Sequence, residues 1–166
     1  MIVIPEELLE AVVAHARREA PNEVCGWLAG GRNEVKLVYP VPNIAGDPRV
    51  GFRMDPEVQL STMREIRELG LELTGTYHSH PRTPAAPSAR DGGLAAYPEA
   101  MHLIVSLAAP EPEVRCYRIE EPFAAVEATV GPPARRDGIL RSQVHPRGNC
   151  CRLAEERVGS SRARGS

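Results

Sequence analysis

Two histidines one residue apart, followed by a proline-rich loop that ends in Ser88 and Asp91, constrain this chain more than any other feature. The preceding residues, 71–77, have the composition of a β-strand. Side chains i and i+2 of a strand point to the same face, so a strand that continues through His80 presents both His78 and His80 to one side. The fold is therefore predicted to place two imidazoles together at the end of a strand.

Asp91 can supply a third metal ligand from the start of the next predicted helix. Two nitrogens and one carboxylate leave the fourth position of a tetrahedral zinc ion open to water, which is the arrangement of a hydrolytic rather than a structural site. A simpler interpretation stays open, because Ser88 and Asp91 also match a capping box and a His-x-His pair alone is common. The two interpretations are compatible, since a helix start is a rigid place to hold a ligand.

The order of predicted elements favours an α/β (α+β) fold in which a mixed sheet carries helices packed on it. Hydrophobic periodicity and turn residues predict three helices and seven strands. The helices are expected at 5–20, 55–69 and 88–96, and the strands at 23–29, 34–39, 50–54, 71–80, 102–107, 114–119 and 123–130.

Helical spacing also predicts which side chains are buried. In the second helix, Leu60, Met63, Ile66 and Leu69 are expected to form the face that packs on the sheet. His15 lies at the border of the apolar stripe of the first helix and is expected at the surface.

The composition changes at residue 131, where an Arg-, Gly- and Ser-rich segment without clear period begins. We expect one domain over residues 1–130 and a basic, flexible tail over 131–166. The tail has eight arginines and three acidic residues, although the whole chain has a net charge of −2. The tail could serve as a basic contact arm. A second metal site formed by His145, Cys150 and Cys151 is disfavoured, because two adjacent cysteines suit one tetrahedral centre poorly.

The remaining bulk features favour a cytoplasmic protein without a membrane span. Residues 1–7 lack the basic region and apolar run of a signal peptide, and no apolar run approaches the length of a membrane span. The four cysteines show no spacing typical of a disulfide framework. The net charge gives no argument for binding nucleic acid or a membrane surface.

The motif His-Ser-His-Pro at 78–81, with Ser88 and Asp91 eight and eleven residues beyond His80, resembles the signature of the JAMM, or MPN-plus, zinc metallopeptidases. That signature reads H-x-H-P, six residues, S-x-x-D. A second block, Pro-Asn-Glu-Val-Cys-Gly-Trp-Leu at 21–28, is similar to the upstream glutamate of the family and the Cys-Gly that follows it. The resemblance covers residues 1 to about 130 and is greatest to compact bacterial members. It implies a JAMM/MPN fold, with a mixed central sheet flanked by helices in a three-layer arrangement like that of cytidine deaminases.

The resemblance also implies a role for each matched residue. His78, His80 and Asp91 would bind Zn²⁺, and Glu23 would take the proton of the metal-bound water, which acts as the nucleophile. Ser88 would donate a hydrogen bond to the oxyanion of the tetrahedral intermediate. The sequence alone predicts only a solvated glutamate at position 23.

The function implied by this resemblance is that of a deubiquitinase-like peptidase or isopeptidase. Its substrate would be a small ubiquitin-like sulfur-carrier protein, cleaved after the C-terminal Gly-Gly, with the tail lying along a strand edge as an added strand. A homodimer is compatible with this function. Cys25, on the same strand face as Glu23, is expected to be a small packed residue rather than a nucleophile.

The sequence also bears on three other functions. A non-catalytic MPN scaffold in a larger assembly would have the fold without bound zinc, but the complete set of ligands argues against it. A nucleobase deaminase requires His-x-Glu and a downstream Pro-Cys-x-x-Cys, and the chain contains neither. Nucleic-acid binding through the basic tail would weaken steeply with salt.

Overall fold

The computed structural model describes residues 2–88, 91, 97, 100–120, 124–128, 130–131, 140–144 and 151–155. These residues include two helices, α1 (Glu6–Glu19) and α2 (Pro56–Glu68). The strands among them are β1 (Ile2–Val3), β2 (Cys25–Gly31), β3 (Glu34–Val41), β4 (Glu72–His80), β5 (Met101–Ser106), β6 (Glu113–Glu120), β7 (Ala124–Ala128), β8 (Val130–Gly131), β9 (Leu140–Val144) and β10 (Cys151–Glu155). The third predicted helix, at 88–96, lies for the most part outside the described residues.

The strands form one mixed sheet in the order β7-β6-β5-β4-β2-β3-β1-β8, and β10 pairs with β3 and β9. The central strand β4 is antiparallel to β2 and parallel to β5. The hairpin of β2 and β3 turns at Arg32 and Asn33. The predicted class, a mixed sheet with packed helices, is confirmed.

Helix α1 covers one face of the sheet with the apolar stripe that its sequence predicts. Leu8, Val12 and Ala16 are buried in a core that also contains Leu28 and Tyr77 from the central strands. Two glutamates in its first turn and two arginines in its last turn suit the helix dipole.

The prediction that His15 is a surface residue is wrong. Its ring is half-buried, and its Nδ1 lies 2.9 Å from the hydroxyl of Tyr77, with which it forms a hydrogen bond. An imidazole at the edge of an apolar stripe can reach over the stripe to a polar group of the sheet, which helical spacing does not reveal.

Helix α2 covers the opposite face of the sheet. Asp55 caps its first turn by accepting hydrogen bonds from the backbone N–H groups of Glu57 and Val58. Gly70 follows the helix with a φ of +66°, a conformation that favours glycine. Both predicted ends of this helix are confirmed.

The predicted buried face of α2 is wrong at two of its four positions. Leu60 is 52% exposed and Leu69 is 41% exposed, whereas Ile66 is buried and packs against the sheet. The packed residues follow the line of Val58, Thr62 and Ile66. Leu60 lies about 200° around the helix from Val58, because each residue turns the helix by about 100°.

Two further segments differ from expectation. Residues 50–54 form no strand, and Met54 makes only an isolated bridge with Asn43. In the tail, β9 and β10 form an antiparallel pair where the sequence predicts a flexible segment. Strand β1 pairs with β3 at a single position, Glu34. The same edge of β3 therefore pairs with β10 further along, at Leu37 and Val38. The domain boundary at residue 130 stays a prediction.

Neither α1 nor α2, the helices of the described part of the chain, has the length and apolar character needed to cross a membrane.

Candidate metal centre

The last residues of β4 place two imidazoles side by side, as the predicted strand requires. The Nε2 atoms of His78 and His80 lie 3.2 Å apart, and both side chains are buried. The strand ends at His80; β2 pairs with it as far as His78, and β5 pairs with it through His80. Because His78 lies between two strands and His80 is paired with β5, the direction of the two imidazoles is fixed by the sheet rather than by a loop.

Asp91 meets both imidazoles after an intervening loop. Its Oδ1 lies 3.6 Å from Nε2 of His78, and its Oδ2 lies 3.5 Å from Nε2 of His80. The backbone N–H of Ser88 donates a hydrogen bond to Oδ2 of Asp91, and Ser88 O accepts one from Asp91 N. The first of these bonds is half of the capping box that the sequence suggests, so the same contact orients the carboxylate toward the histidines.

The loop that leads to Asp91 is held by side chains of three strands. Three successive carbonyl oxygens accept hydrogen bonds: Thr83 from Ser106 Oγ at 2.6 Å, Pro84 from His80 Nδ1 at 2.8 Å, and Ala85 from Tyr117 OH at 2.6 Å. A carbonyl oxygen only accepts, so Nδ1 of His80 carries a proton, and Nε2 is the ring nitrogen that faces Asp91 and His78. This arrangement gives the tautomer that metal ligation requires.

The three side chains have the spacing of metal ligands. In a tetrahedral zinc site with bonds of about 2.0–2.1 Å, ligand atoms lie about 3.3 Å apart. The separation of the two Nε2 atoms, 3.2 Å, agrees with that spacing. Each of them lies 3.5 or 3.6 Å from a different carboxylate oxygen of Asp91, and the three ligand atoms all lie within 4.8 Å of one another. His78, His80 and Asp91 could therefore hold a metal ion together.

The pKa shifts of this group show how closely its members interact. Burial acts to raise the pKa of Asp91, but hydrogen bonds with His78 and His80 hold it well below its usual range. Burial lowers the pKa of His78, against the influence of Asp91. Burial also acts to lower the pKa of His80, but Asp91 and the Pro84 carbonyl raise it, with a smaller contribution from Glu23. An ionised carboxylate beside a neutral His78 suits a cation.

Glu23 lies immediately before β2, on the side of the sheet that carries the histidines. It is only 7% exposed, so the solvated position that the sequence alone predicts is wrong. Its backbone N–H donates to the carbonyl oxygen of Pro48 at 2.6 Å, and its own carbonyl oxygen accepts from Nδ2 of Asn43 at 2.8 Å. The Glu23 carboxylate is close enough to influence the pKa of both His80 and Cys25.

Ser88 is exposed where the loop reaches Asp91. The structure thus brings three of the five predicted site residues, His78, His80 and Asp91, into one buried group. Glu23 is also buried, and Ser88 is exposed next to Asp91. The individual roles of Glu23 and Ser88 stay predictions.

Two residues near this group were missed by the sequence analysis. The ring of Phe52 stacks on the ring of His78, with centroids 4.7 Å apart and planes inclined by 25°. Asn43 contacts the backbone of Glu23. A weak signal was present for Phe52, because an aromatic residue in a loop of polar residues, prolines and glycines is unusual in a chain with only two phenylalanines. Asn43 had no signal beyond its place in that loop.

Comparison with known proteins gives consistent results. Residues 5–120 match the family described as prokaryotic homologs of the JAB domain. The chain is 38% identical over 136 residues to the CysO-cysteine peptidase of Mycobacterium tuberculosis, covering 76% of this chain and 92% of that protein. It is 43% identical over 91 residues to the probable TtuB-protein conjugate cleaving protease of Thermus thermophilus, covering 55% of this chain and 61% of that protein. The solution structure of a protein from Desulfitobacterium hafniense, 37% identical, aligns with a TM-score of 0.73 over 82% of this chain and 96% of that chain.

Proposed function

This chain belongs to the family of prokaryotic homologs of the JAB domain, and on that premise we propose that it is a zinc-dependent peptidase or isopeptidase. Its substrate is a small ubiquitin-like sulfur-carrier protein, cleaved after the C-terminal Gly-Gly. The observation that carries the proposal is the buried group of His78, His80 and Asp91, whose ligand atoms all lie within 4.8 Å of one another.

Zinc is the metal that best suits this group. Imidazole nitrogens with one carboxylate oxygen are a common zinc ligand set, and three protein ligands leave one position open for catalysis. His78, His80 and Asp91 would hold the ion. When bound there, zinc would lower the pKa of a water molecule from about 16 toward roughly 7 and polarise the carbonyl group of the substrate.

Glu23 is the residue that would move the proton. Its carboxylate lies on the histidine side of the sheet and is shielded from solvent. It would accept a proton from the attacking water and later give that proton to the leaving amine, a general acid–base role that typically contributes about 100- to 10,000-fold in rate.

Ser88 would stabilise the negative charge that develops on the carbonyl oxygen. Its backbone N–H is engaged with Asp91, and the residue is exposed at the border of the metal centre. From that border its hydroxyl would donate a hydrogen bond to the bound substrate. Loss of such a donor typically costs about 100- to 1,000-fold in rate.

The names of the relatives point to two classes of leaving group. One relative acts on CysO-cysteine, and another cleaves TtuB-protein conjugates. In this chain a cavity of about 320 Å³, lined in part by His15, Arg18, Glu19 and Glu23, lies beside the proposed base. Its volume is at the lower end of the range for small-molecule sites, about 300–1,000 Å³, and its lining carries both signs of charge. Because one relative is named for CysO-cysteine, a single amino acid is the first leaving group to test.

A reducing compartment agrees with this function. Cys25 and Cys116 are both buried free thiols. We place the reaction in the cytoplasm, where thiols stay reduced.

The decisive test compares the wild-type protein with a Glu23→Gln variant on sulfur-carrier proteins that have one extra C-terminal amino acid. The variant should bind zinc as the wild type does and lose at least about 100-fold in kcat. Glu34→Gln is the matched control, because Glu34 lies at the far end of the β2–β3 hairpin. Equal turnover by the wild type and Glu23→Gln would refute the mechanism. A wild-type protein that binds no zinc and cleaves no carrier would instead be the non-catalytic scaffold.

A further inference from the structure

The side-chain amide of Asn43 makes four hydrogen bonds. Its Oδ1 accepts from the backbone N–H groups of Ala45 and Arg53, each at 3.0 Å. Its Nδ2 donates to the carbonyl oxygens of Glu23 at 2.8 Å and Gly51 at 3.1 Å. A primary amide has two N–H donors and two acceptor lone pairs, so this side chain uses its complete hydrogen-bonding capacity on the backbone.

These bonds join the loop 43–54 to the start of β2. Within the loop, Asn43 and Met54 form an isolated bridge, and the backbone N–H of Ile44 donates to the carbonyl oxygen of Arg53 at 2.8 Å. The loop is therefore closed on itself. The bond from Asn43 to Glu23 and the bond from the N–H of Glu23 to the carbonyl oxygen of Pro48 attach that closed loop to the proposed base.

The same amide fixes both neighbours of Phe52. Asn43 bonds to the carbonyl oxygen of Gly51 and to the N–H of Arg53, the residues on either side of Phe52 in the chain. The Phe52 ring in turn stacks on His78. One side chain thus holds the backbone of the proposed base and the backbone that places an aromatic ring against a metal ligand.

We propose that Asn43 is a positioning residue for the hydrolytic reaction, setting the position of Glu23 relative to His78 and His80. The effect on turnover rests on the proposed function, whereas the effect on the loop does not. An asparagine is needed because, among side chains, only a primary amide supplies two N–H donors and two acceptor lone pairs at one position. Aspartate has the same shape and keeps the two acceptor bonds, but it loses both donor bonds. One of its carboxylate oxygens would then face the carbonyl oxygen of Glu23 and repel it.

The kinetic test uses Asn43→Asp, Asn43→Ala and, as a charge-matched control, Asn33→Asp in the exposed turn of the β2–β3 hairpin. We expect kcat to fall on the order of 10- to 100-fold in both Asn43 variants, the range expected when a catalytic group is misplaced by about 1 Å. KM and zinc affinity should stay within about threefold of the wild type, because the metal ligands keep their own hydrogen bonds. The control should match the wild type in all three quantities.

A merely structural role would give a different result. It would lower zinc affinity and the urea midpoint while leaving kcat per zinc-loaded molecule unchanged, and that outcome would overturn the proposal. A kcat for Asn43→Asp within twofold of the wild type would overturn it as well. Asn43→Asp retains the two acceptor bonds to the N–H groups of Ala45 and Arg53, so the test does not depend on the folding of Asn43→Ala.

Backbone amide hydrogen exchange, measured by NMR without substrate, tests the geometry independently of activity. The N–H groups of Ala45 and Arg53 should exchange slowly in the wild type and in Asn43→Asp, and at least about tenfold faster in Asn43→Ala. Unchanged exchange in Asn43→Ala would refute the inference. Absence of carrier cleavage by the wild type would refute the proposed function instead, so the two failures are distinguishable.

Discussion

Cys25 lies directly opposite His78 in the antiparallel pair formed by β2 and β4. Its thiol is fully buried and donates to the carbonyl oxygen of Val41, with the sulfur 3.5 Å from that oxygen. Burial, with a smaller contribution from Glu23, raises the pKa of this thiol to about 12. A cysteine beside the metal centre therefore stays protonated at neutral pH, and the proximity of the two residues gives no thiolate nucleophile.

This pairing predicts that the enzyme does not depend on a cysteine. Cys25→Ala should retain turnover within about threefold of the wild type, because a protonated, buried thiol has no part in attack on the substrate. Iodoacetamide at neutral pH should leave the wild type active. Cys116→Ala is the matched control, since Cys116 is a second buried thiol and belongs to the α1 side of the core. Inactivation that follows the alkylation of Cys25 would contradict this prediction.

Removal of the carboxylate ligand should abolish tight metal binding. Changes to groups that only orient a metal ligand cost about 10- to 100-fold in affinity, so Asp91→Asn, which changes a ligand itself, should lose at least about 100-fold. Zinc at 100 times its Kd should stabilise the wild-type fold by about 2.7 kcal/mol and should scarcely stabilise the variant. Thermal melting with zinc and with a chelator measures the difference.

The control for that experiment is Asp47→Asn. Asp47 forms an exposed ion pair with Arg49, and exposed pairs contribute little to stability. Zinc should raise the melting temperature of the control as it does for the wild type. An equal zinc response in Asp91→Asn would show that Asp91 is not a ligand.

His15 should make the fold less stable in mild acid. Burial, with a smaller contribution from Arg18 and against the influence of Glu19, lowers its pKa to about 4. The unfolded chain, with a histidine pKa of about 6.5, then binds this proton before the folded chain does as the pH falls. The stability that His15 contributes is complete above about pH 6.5 and is lost as the pH falls toward 4.

A His15→Gln variant tests this pH dependence. Glutamine can keep a hydrogen bond to Tyr77, but it does not titrate. Between about pH 7 and pH 4.5, the free energy of unfolding should fall less in the variant than in the metal-free wild type. Urea titrations with a chelator present measure the two curves, and the other titrating groups cancel because both proteins have them. Parallel curves would contradict the prediction.

Gly26 should tolerate no side chain. A Cβ at this position would overlap the carbonyl oxygen of Tyr39 and the ring of Tyr77. Gly26→Ala should therefore lower the free energy of unfolding by about 1–3 kcal/mol, the usual cost of overpacking a core. Gly31→Ala in the same strand meets no atom within 4 Å and should stay within about 1 kcal/mol of the wild type. Equal effects of the two changes in urea titrations would contradict the packing argument.

Local patterns predicted most of the regular elements of this fold. The strand at β4, the hairpin of β2 and β3, and both ends of α2 follow from alternation, turn residues and caps that lie within a few residues of one another. The errors occur where a distant partner decides the outcome. Leu60 is exposed because the sheet meets a different face of its helix, and the half-buried position of His15 depends on Tyr77, 62 residues away.

The sequence by itself predicted the group of His78, His80 and Asp91 that could hold a metal ion, because the spacing of His78 and His80 and the turn at Ser88 are local geometry. Only the tertiary structure decided how Glu23 is held, through the amide of Asn43 and the carbonyl oxygen of Pro48. Only the tertiary structure likewise decided that Ser106 and Tyr117 donate hydrogen bonds to the loop before Asp91. Hydrogen bonds between side chains and a distant backbone leave no periodic pattern in a sequence. The positions of Glu23 and of the loop before Asp91 can therefore be known only from the folded structure.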